Sequence, residues 1–278
     1  MQQELKLRII SGIILAIIVL AATWYGGLAF QALSAMIGLL IYYEWSTITR
    51  LSAEQPIANA AGWAGQGAIA LAILLGRFDW ALGLLLAVFI VAIGFTLLRG
   101  VSRWFPAGVV YAGLTGIALA EIRGADTGGL HAMLFLFAVV WATDILAYFV
   151  GRATGGPKLA PKISPGKTQS GAMGGAVSAV IAGSLIAYFL VPEADWLVAA
   201  AVAFILSICS QAGDLFESFI KRRFGVKDSS RLIPGHGGVM DRVDGLIFAC
   251  FAAFLLATCF SLIRGGTAAP LGAALFGL

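Results

Sequence analysis

Residues 1–27, "MQQELKLRIISGIILAIIVLAATWYGG", decide the fold. Past Lys6 and Arg8, no charge interrupts the run from Ile9 to Tyr25. A helix needs about 20 apolar residues to cross the hydrocarbon of a bilayer. A secretory leader is the competing reading. The run is long for one, lacks a small-x-small cleavage site, and is followed by more of the same kind. We therefore expect an uncleaved first span.

Working outward, similar runs recur along all 278 residues, near 9–26, 27–45, 59–76, 80–98, 105–121, 129–151, 172–192, 196–213 and 245–264. Hydrophobic residues make up 60% of the chain and charged ones only 12%, where a soluble domain carries roughly 25% charged. The expected fold is all-α, a polytopic transmembrane helix bundle of about nine spans. Helices 1–130 form an N-terminal part. Residues 131–278 carry the chemistry, with cytoplasmic loops at 152–171 and 215–243. The tail "APLGAALFGL" is too short and glycine-rich to span. Many of the 35 glycines fall within spans, which suits close helix packing in lipid and leaves room for a homodimer.

Basic residues set the orientation. With the N-terminus cytoplasmic, fifteen of the 18 Lys and Arg face the cytoplasm and only Arg77, Arg123 and Arg264 face out. The positive-inside rule favours that arrangement. Cys209, Cys250 and Cys259 sit in apolar runs with no C-x-x-C, so they read as small buried hydrophobes rather than a disulfide or zinc site. Sparse cysteine and compact loops fit a bacterial inner membrane, with a eukaryotic endomembrane as the alternative.

Charge concentrates in two stretches, both cytoplasmic in this arrangement. "SFIKRRFGVKDSSRLIPGHGGVMDRVD", Ser218–Asp244, holds six basic residues, three Asp and His236. "GRATGGPKLAPKISPGKTQSGAMGG" holds Arg152, Lys158, Lys162 and Lys167. An ionised Asp at membrane depth is costly and normally faces a polar cavity. Asp144 and Asp214 both lie near cytoplasmic span ends. Helical spacing places Asp214, Ser218 and Lys221 on one face, and Asp144, Tyr148 and Gly151 on another. Asp214 and Asp241, with Asp244, could converge on a cation; carboxylates with few other ligands suit Mg²⁺, one ion or two. Lys158, Lys167, Lys221, Arg222, Lys227 and Arg242 supply donors for phosphate oxygens, and the glycines of "PGHGG" and "GGPK" let backbone N–H groups approach an anion. Together these are the equipment of phosphoryl or nucleotidyl transfer. A site at span ends can take one reactant from water and one from the bilayer. His236 reads as a general base if the acceptor is a hydroxyl, or as a phosphate or loop holder if the acceptor is itself a phosphate. His131 is assigned no chemistry.

The pattern S-x-x-K-R-x-x-x-x-K-D-x-S-x-x-x-P-x-H-G-G-x-x-D-R-x-D, from Ser218 to Asp244, resembles the signature of the phosphatidate cytidylyltransferases (CDP-diacylglycerol synthases). D-x-x-A-Y-x-x-G-R-x-x-G-x-x-K-L-x-P-x-I-S-P-x-K-T, from Asp144 to Thr168, and Q-x-G-D-L-x-x-S, from Gln211, are similar to further motifs of that family. The resemblance implies that CTP and phosphatidic acid give CDP-diacylglycerol and pyrophosphate. It implies Mg²⁺ on Asp214 and Asp241, anion neutralisation by Lys221, Arg222, Lys227 and Arg242, and phosphate contacts from Lys158, Ser164, Lys167 and Thr168. Asp144, Ser218, Gly237 and Gly238 join the substrate site, and Asp228 and Asp244 hold the cations in place. Partners are then CTP, phosphatidic acid and membrane lipids, with no nucleic acid. Ser170 stands where the family leads us to expect Glu, so any acidic role there passes to Asp144 or the later Asp residues. Competing readings are a related CTP-dependent polyprenol kinase, an anionic-solute transporter, and a non-catalytic lipid-binding protein.

Overall fold

The computed structural model describes residues 2–263 and 271–278, and side chains from Arg8 onward. Arg264 of the orientation argument, the side chain of Lys6 and the start of the apolar tail lie outside them. Among the described residues, nine helices are long and apolar enough to span, and they match the expected runs one for one. The chain is an all-α integral membrane protein. It divides into two compact units, Met1–Ala120 with Arg223–Arg242, and Glu121–Arg222 with Val243–Leu278.

The first unit begins with α1 (Gln2–Tyr25) and α2 (Gly27–Ile48). Gly26 and Gly27 have φ of 63° and 48°, left-handed conformations that glycine adopts without a Cβ clash, so one residue suffices to reverse the chain. A single turn, α3 (Leu51–Glu54), leads to α4 (Pro56–Leu74), α5 (Phe78–Arg99) and α6 (Trp104–Arg123). The core is aromatic. Trp45 and Tyr42 of α2 and Phe105 of α6 are fully buried. Trp45 Nε1 donates to the Trp104 carbonyl at 2.8 Å, and Tyr42 meets Trp63 edge-on with centroids 5.2 Å apart. In contrast, α1 shows Ile9, Ile13, Ile17 and Trp24 to its surroundings, as a lipid-facing helix should.

The second unit contains α7 (Thr127–Thr154), a hairpin of β1 (Lys158–Ala160) and β2 (Ser164–Thr168), then α8 (Gln169–Leu190), nearly all of α9 (Trp196–Arg223), α10 (Met240–Ile263) from Val243 onward, and the single turn α11 (Leu271–Ala274). Every fourth residue of α8 along one stripe is small and buried: Gly171, Gly175, Ala179, Gly183 and Ala187. A Cβ on Gly171 would lie 2.6 Å from the Ala147 carbonyl oxygen, and one on Gly175 would lie 2.7 Å from that of Thr143. Small residues thus let α7 and α8 approach backbone to backbone, the contact that substitutes for hydrophobic driving force in lipid.

Two boundaries differ from the sequence expectation. The apolar run of the eighth span ends near residue 213, but α9 continues to Arg223. Helix-favouring residues and the Glu217–Lys221 ion pair at i, i+4, with Oε2 and Nζ 2.6 Å apart, carry the helix past the apolar stretch. The irregular loop is accordingly 224–239. The expected loop 152–171 is largely structured: α7 runs to Thr154, and an antiparallel pair joins Lys158 to Thr168 and Ala160 to Ser164.

Candidate active site

The second unit holds a half-open cavity of about 900 Å³. α7 supplies Asp144, Tyr148 and Arg152 to its wall, α9 supplies Gln211 and Asp214, and α10 supplies Asp244. The hairpin brings Lys158, Ser164, Lys167 and Thr168. Both upstream motifs and the last Asp of the signature therefore meet in one place, although they are distant in sequence.

Lys167 reaches across from β2 and forms an ion pair with Asp214 Oδ2. Three carboxylates facing a shared cavity repel one another unless cations screen them, and this ammonium is one such cation. Arg152 Nη1 donates to the Tyr148 hydroxyl at 2.8 Å one turn back, holding a guanidinium at the rim. Beneath the carboxylates runs a polar seam. Thr143 Oγ1 lies 2.8 Å from Ser207 Oγ, and Gln211 Nε2 donates to the Ala172 carbonyl at 3.2 Å.

Thr168 is the N-cap of α8: its Oγ1 accepts from Gly171 N at 3.1 Å. Capping fixes the end of the hairpin and aims the start of α8, where free backbone N–H groups favour anions. Ser170 Oγ donates to the Gly155 carbonyl, pinning the glycine turn between α7 and β1. The side chain at this unusual position is thus a hydroxyl tether to the backbone.

Ser218, Lys221 and Arg222 lie further along α9 and do not line the cavity. The Lys221 ammonium sits on Glu217, whose side chain is 1% exposed. Asp214, Ser218 and Lys221 do share one helix, yet the carboxylate beside Lys221 is Glu217, which sequence reasoning passed over.

The other signature residues belong to the first unit. Lys227, Asp228 and Arg242 are exposed, while Gly238 is buried. Asp241 Oδ2 accepts from Ser229 N at 2.7 Å, Ser229 Oγ at 2.8 Å and Gly238 N at 2.8 Å. His236 Nδ1 lies 2.8 Å from Ser11 Oγ of α1, and Ser11 Oγ also donates to the Pro234 carbonyl at 3.0 Å. Gly237 has φ of 84° and bridges back to Ile233, closing a tight turn around His236. His236 is thus engaged by α1, which fits the loop-holding alternative.

Asp214 and Asp241 fall in different units. Among the described residues, no three His, Cys, Asp or Glu side chains are grouped to enclose a metal ion by themselves. The donor chemistry nonetheless suits Mg²⁺, which keeps waters and takes substrate phosphates alongside one or two carboxylates.

Helices that span a membrane, wrapped around a carboxylate, lysine and glycine-turn cavity, define the class: a membrane-embedded enzyme that handles phosphates. The chain belongs to the cytidylyltransferase family, whose profile matches residues 6–260. It is 46% identical over 265 residues to the phosphatidate cytidylyltransferase of Brucella abortus, covering 93% of this chain and 95% of that protein. It is 31% identical over 268 residues to that of Bacillus subtilis, covering 91% and 98%. Against that of Staphylococcus haemolyticus it is 44% identical over 133 residues, about half of each chain. The family resemblance read from the motifs is borne out, and with it the enzyme reading over the transporter.

Proposed function

We propose that this protein transfers the cytidylyl group of CTP to phosphatidic acid, giving CDP-diacylglycerol and pyrophosphate. A phosphate oxygen of the lipid attacks the α-phosphorus of CTP. That P–O bond forms as the bond from the α-phosphorus to the bridging oxygen of the β-phosphate breaks, and pyrophosphate leaves. The observation that carries the reading is the single cavity where Asp144, Asp214, Asp244, Lys158 and Lys167 meet.

The residues divide the work. Lys158, Lys167 and the start of α8 bind phosphate oxygens of the nucleotide. Ser164 and Arg152 orient them. Lys227 and Arg242 keep the role the signature implies for them, neutralising the lipid phosphate. Two anions brought together under fixed positive charge gain chiefly from positioning and electrostatics. Asp214 is the cavity ligand we assign to Mg²⁺, with Asp144 and Asp244 completing the negative field. The signature implies a metal role for Asp241 as well, whose Oδ2 accepts from Ser229 and Gly238 within the first unit. Bound Mg²⁺ would supply charge stabilisation on the nucleotide phosphates. His236 acts as a loop holder, because the acceptor phosphate is already anionic.

The protein works in the bacterial inner membrane with its site toward the cytoplasm, a placement supported by the distribution of basic residues and the supply of CTP there.

The test is product analysis. Purified protein in mixed micelles receives phosphatidic acid and each nucleoside triphosphate in turn, with Mg²⁺ or with chelator. CTP with Mg²⁺ gives CDP-diacylglycerol by mass spectrometry, and Asp214→Asn lowers turnover at least about 100-fold. No nucleotide-linked lipid from any triphosphate defeats the function. Unimpaired Asp214→Asn defeats the metal assignment.

A further inference from the structure

Glu44 lies near the end of α2 in the apolar stretch "LIYYEWSTI", and its residue exposure is 0%. A carboxylate withdrawn from water costs several kcal/mol unless hydrogen bonds replace the solvent. Here four donor groups do so, one of them shared with Asp241, all from the signature loop and the start of α10. Oε1 accepts from Ser230 Oγ at 2.6 Å and Val239 N at 2.8 Å. Oε2 accepts from Ser229 Oγ at 3.0 Å and Met240 N at 2.7 Å. The Ser229 hydroxyl has one proton and shares it with Asp241 Oδ2 at 2.8 Å, so the other three are the unshared donors.

This side chain ties together both ends of one loop. Ser229 and Ser230 follow Lys227 and Asp228; Val239 and Met240 precede Asp241 and Arg242. The two backbone N–H groups are otherwise orphan donors at the start of α10, so Glu44 also caps that helix from another element. Gly238 is glycine because of this approach: a Cβ there would lie 2.3 Å from Glu44 Oε1 and 1.9 Å from Ser229 Oγ.

We propose that Glu44 is a positioning residue for the reaction, holding the basic signature loop in its working conformation from the second span. The proposal rests on the function inferred above for its kinetic consequence, but not for its structural one. Glu44→Gln keeps the volume but turns an NH₂ group toward two of the four donors, leaving them without an acceptor. The loop then loosens while the spans remain.

The test uses full-length protein in detergent micelles. Arg231 is exposed within the tethered segment, so trypsin cleavage after it reports loop opening. Glu44→Gln is expected to be cut there at least about 10-fold faster than wild type, because opening is governed by the local free energy lost. The KM for phosphatidic acid rises at least about 10-fold, while that for CTP stays within about 3-fold, since the loop's cations serve the lipid phosphate. General loss of folded protein lowers Vmax and moves neither KM, so this split separates positioning from stability. Ser230→Ala, which removes one donor of the four, gives the same changes in smaller degree and serves if Glu44→Gln does not fold. Wild-type cleavage at Arg231 in both variants overturns the proposal, and so do equal KM changes for both substrates. A wild-type enzyme without cytidylyl transfer overturns the functional reading, while the cleavage result still decides whether Glu44 holds the loop.

Discussion

Replacing Lys167 with Met keeps most of the side-chain volume and deletes the ammonium on Asp214. If Asp214 holds Mg²⁺ as proposed, that ammonium competes with the incoming cation for the carboxylate in the wild type. Opposite charges about 4 Å apart attract by about 4 kcal/mol at an effective dielectric of about 20. The Lys167 and Asp214 side chains are 30% and 26% exposed, so water screens the pair. A discounted value of about 1–2 kcal/mol is appropriate. Lys167→Met should therefore bind Mg²⁺ about 5–30-fold more tightly. Turnover moves the opposite way. A charge-assisted hydrogen bond to a phosphate is worth about 1.5–3 kcal/mol, so losing it lowers the rate about 10–150-fold. The assay is the initial rate of CDP-diacylglycerol formation in mixed micelles, with free Mg²⁺ set by a chelator buffer. Slower turnover with a lower half-saturating Mg²⁺ is the expected pair. An unchanged or higher half-saturating Mg²⁺ refutes the competition and the place of Asp214 in cation binding.

Other substitutions test how the site is held. Gly175→Ala puts a Cβ 2.7 Å from the Thr143 carbonyl oxygen and 3.0 Å from Ala147 Cβ, so α8 must back away from α7. A loss of about 1–3 kcal/mol follows, with Gly175→Val worse, read as a lowered melting temperature in detergent; wild-type melting of Gly175→Val contradicts the close approach. Thr168→Val removes the cap of α8 and costs about 1 kcal/mol, whereas Thr168→Ser retains it; equal stability of the two variants contradicts the capping role. Glu217→Ala strips Lys221 of its buried carboxylate and costs about 3–5 kcal/mol in the same melting assay, and wild-type stability there contradicts a buried pair.

The spans were legible because lipid demands long uninterrupted apolar helices, a one-dimensional signal that "IISGIILAIIVLAATWY" carries unaided. The residues of the cavity were legible as chemistry, because carboxylates and lysines are expensive near a membrane and stand out against an apolar background. Their partnerships were not. Asp214 meets Lys167 of a strand, a pairing that no helical spacing encodes, while the helical neighbour Lys221 goes to Glu217. The hairpin escaped notice because five residues rich in Gly, Pro and Ser carry no strand alternation. Glu44 was passed over altogether. A lone acid in an apolar span was the available signal, but its meaning depends on Ser229, Ser230 and Met240, almost 200 residues away.

The central claim is that cytidylyl, not phosphoryl, is what moves to the lipid. Purified protein with phosphatidic acid is given CTP labelled at the α- or the γ-phosphate, and lipid is separated from aqueous product after a single turnover. The α-label should appear in the lipid and the γ-label in pyrophosphate. Label from the γ-phosphate in the lipid would contradict the account and establish a kinase instead.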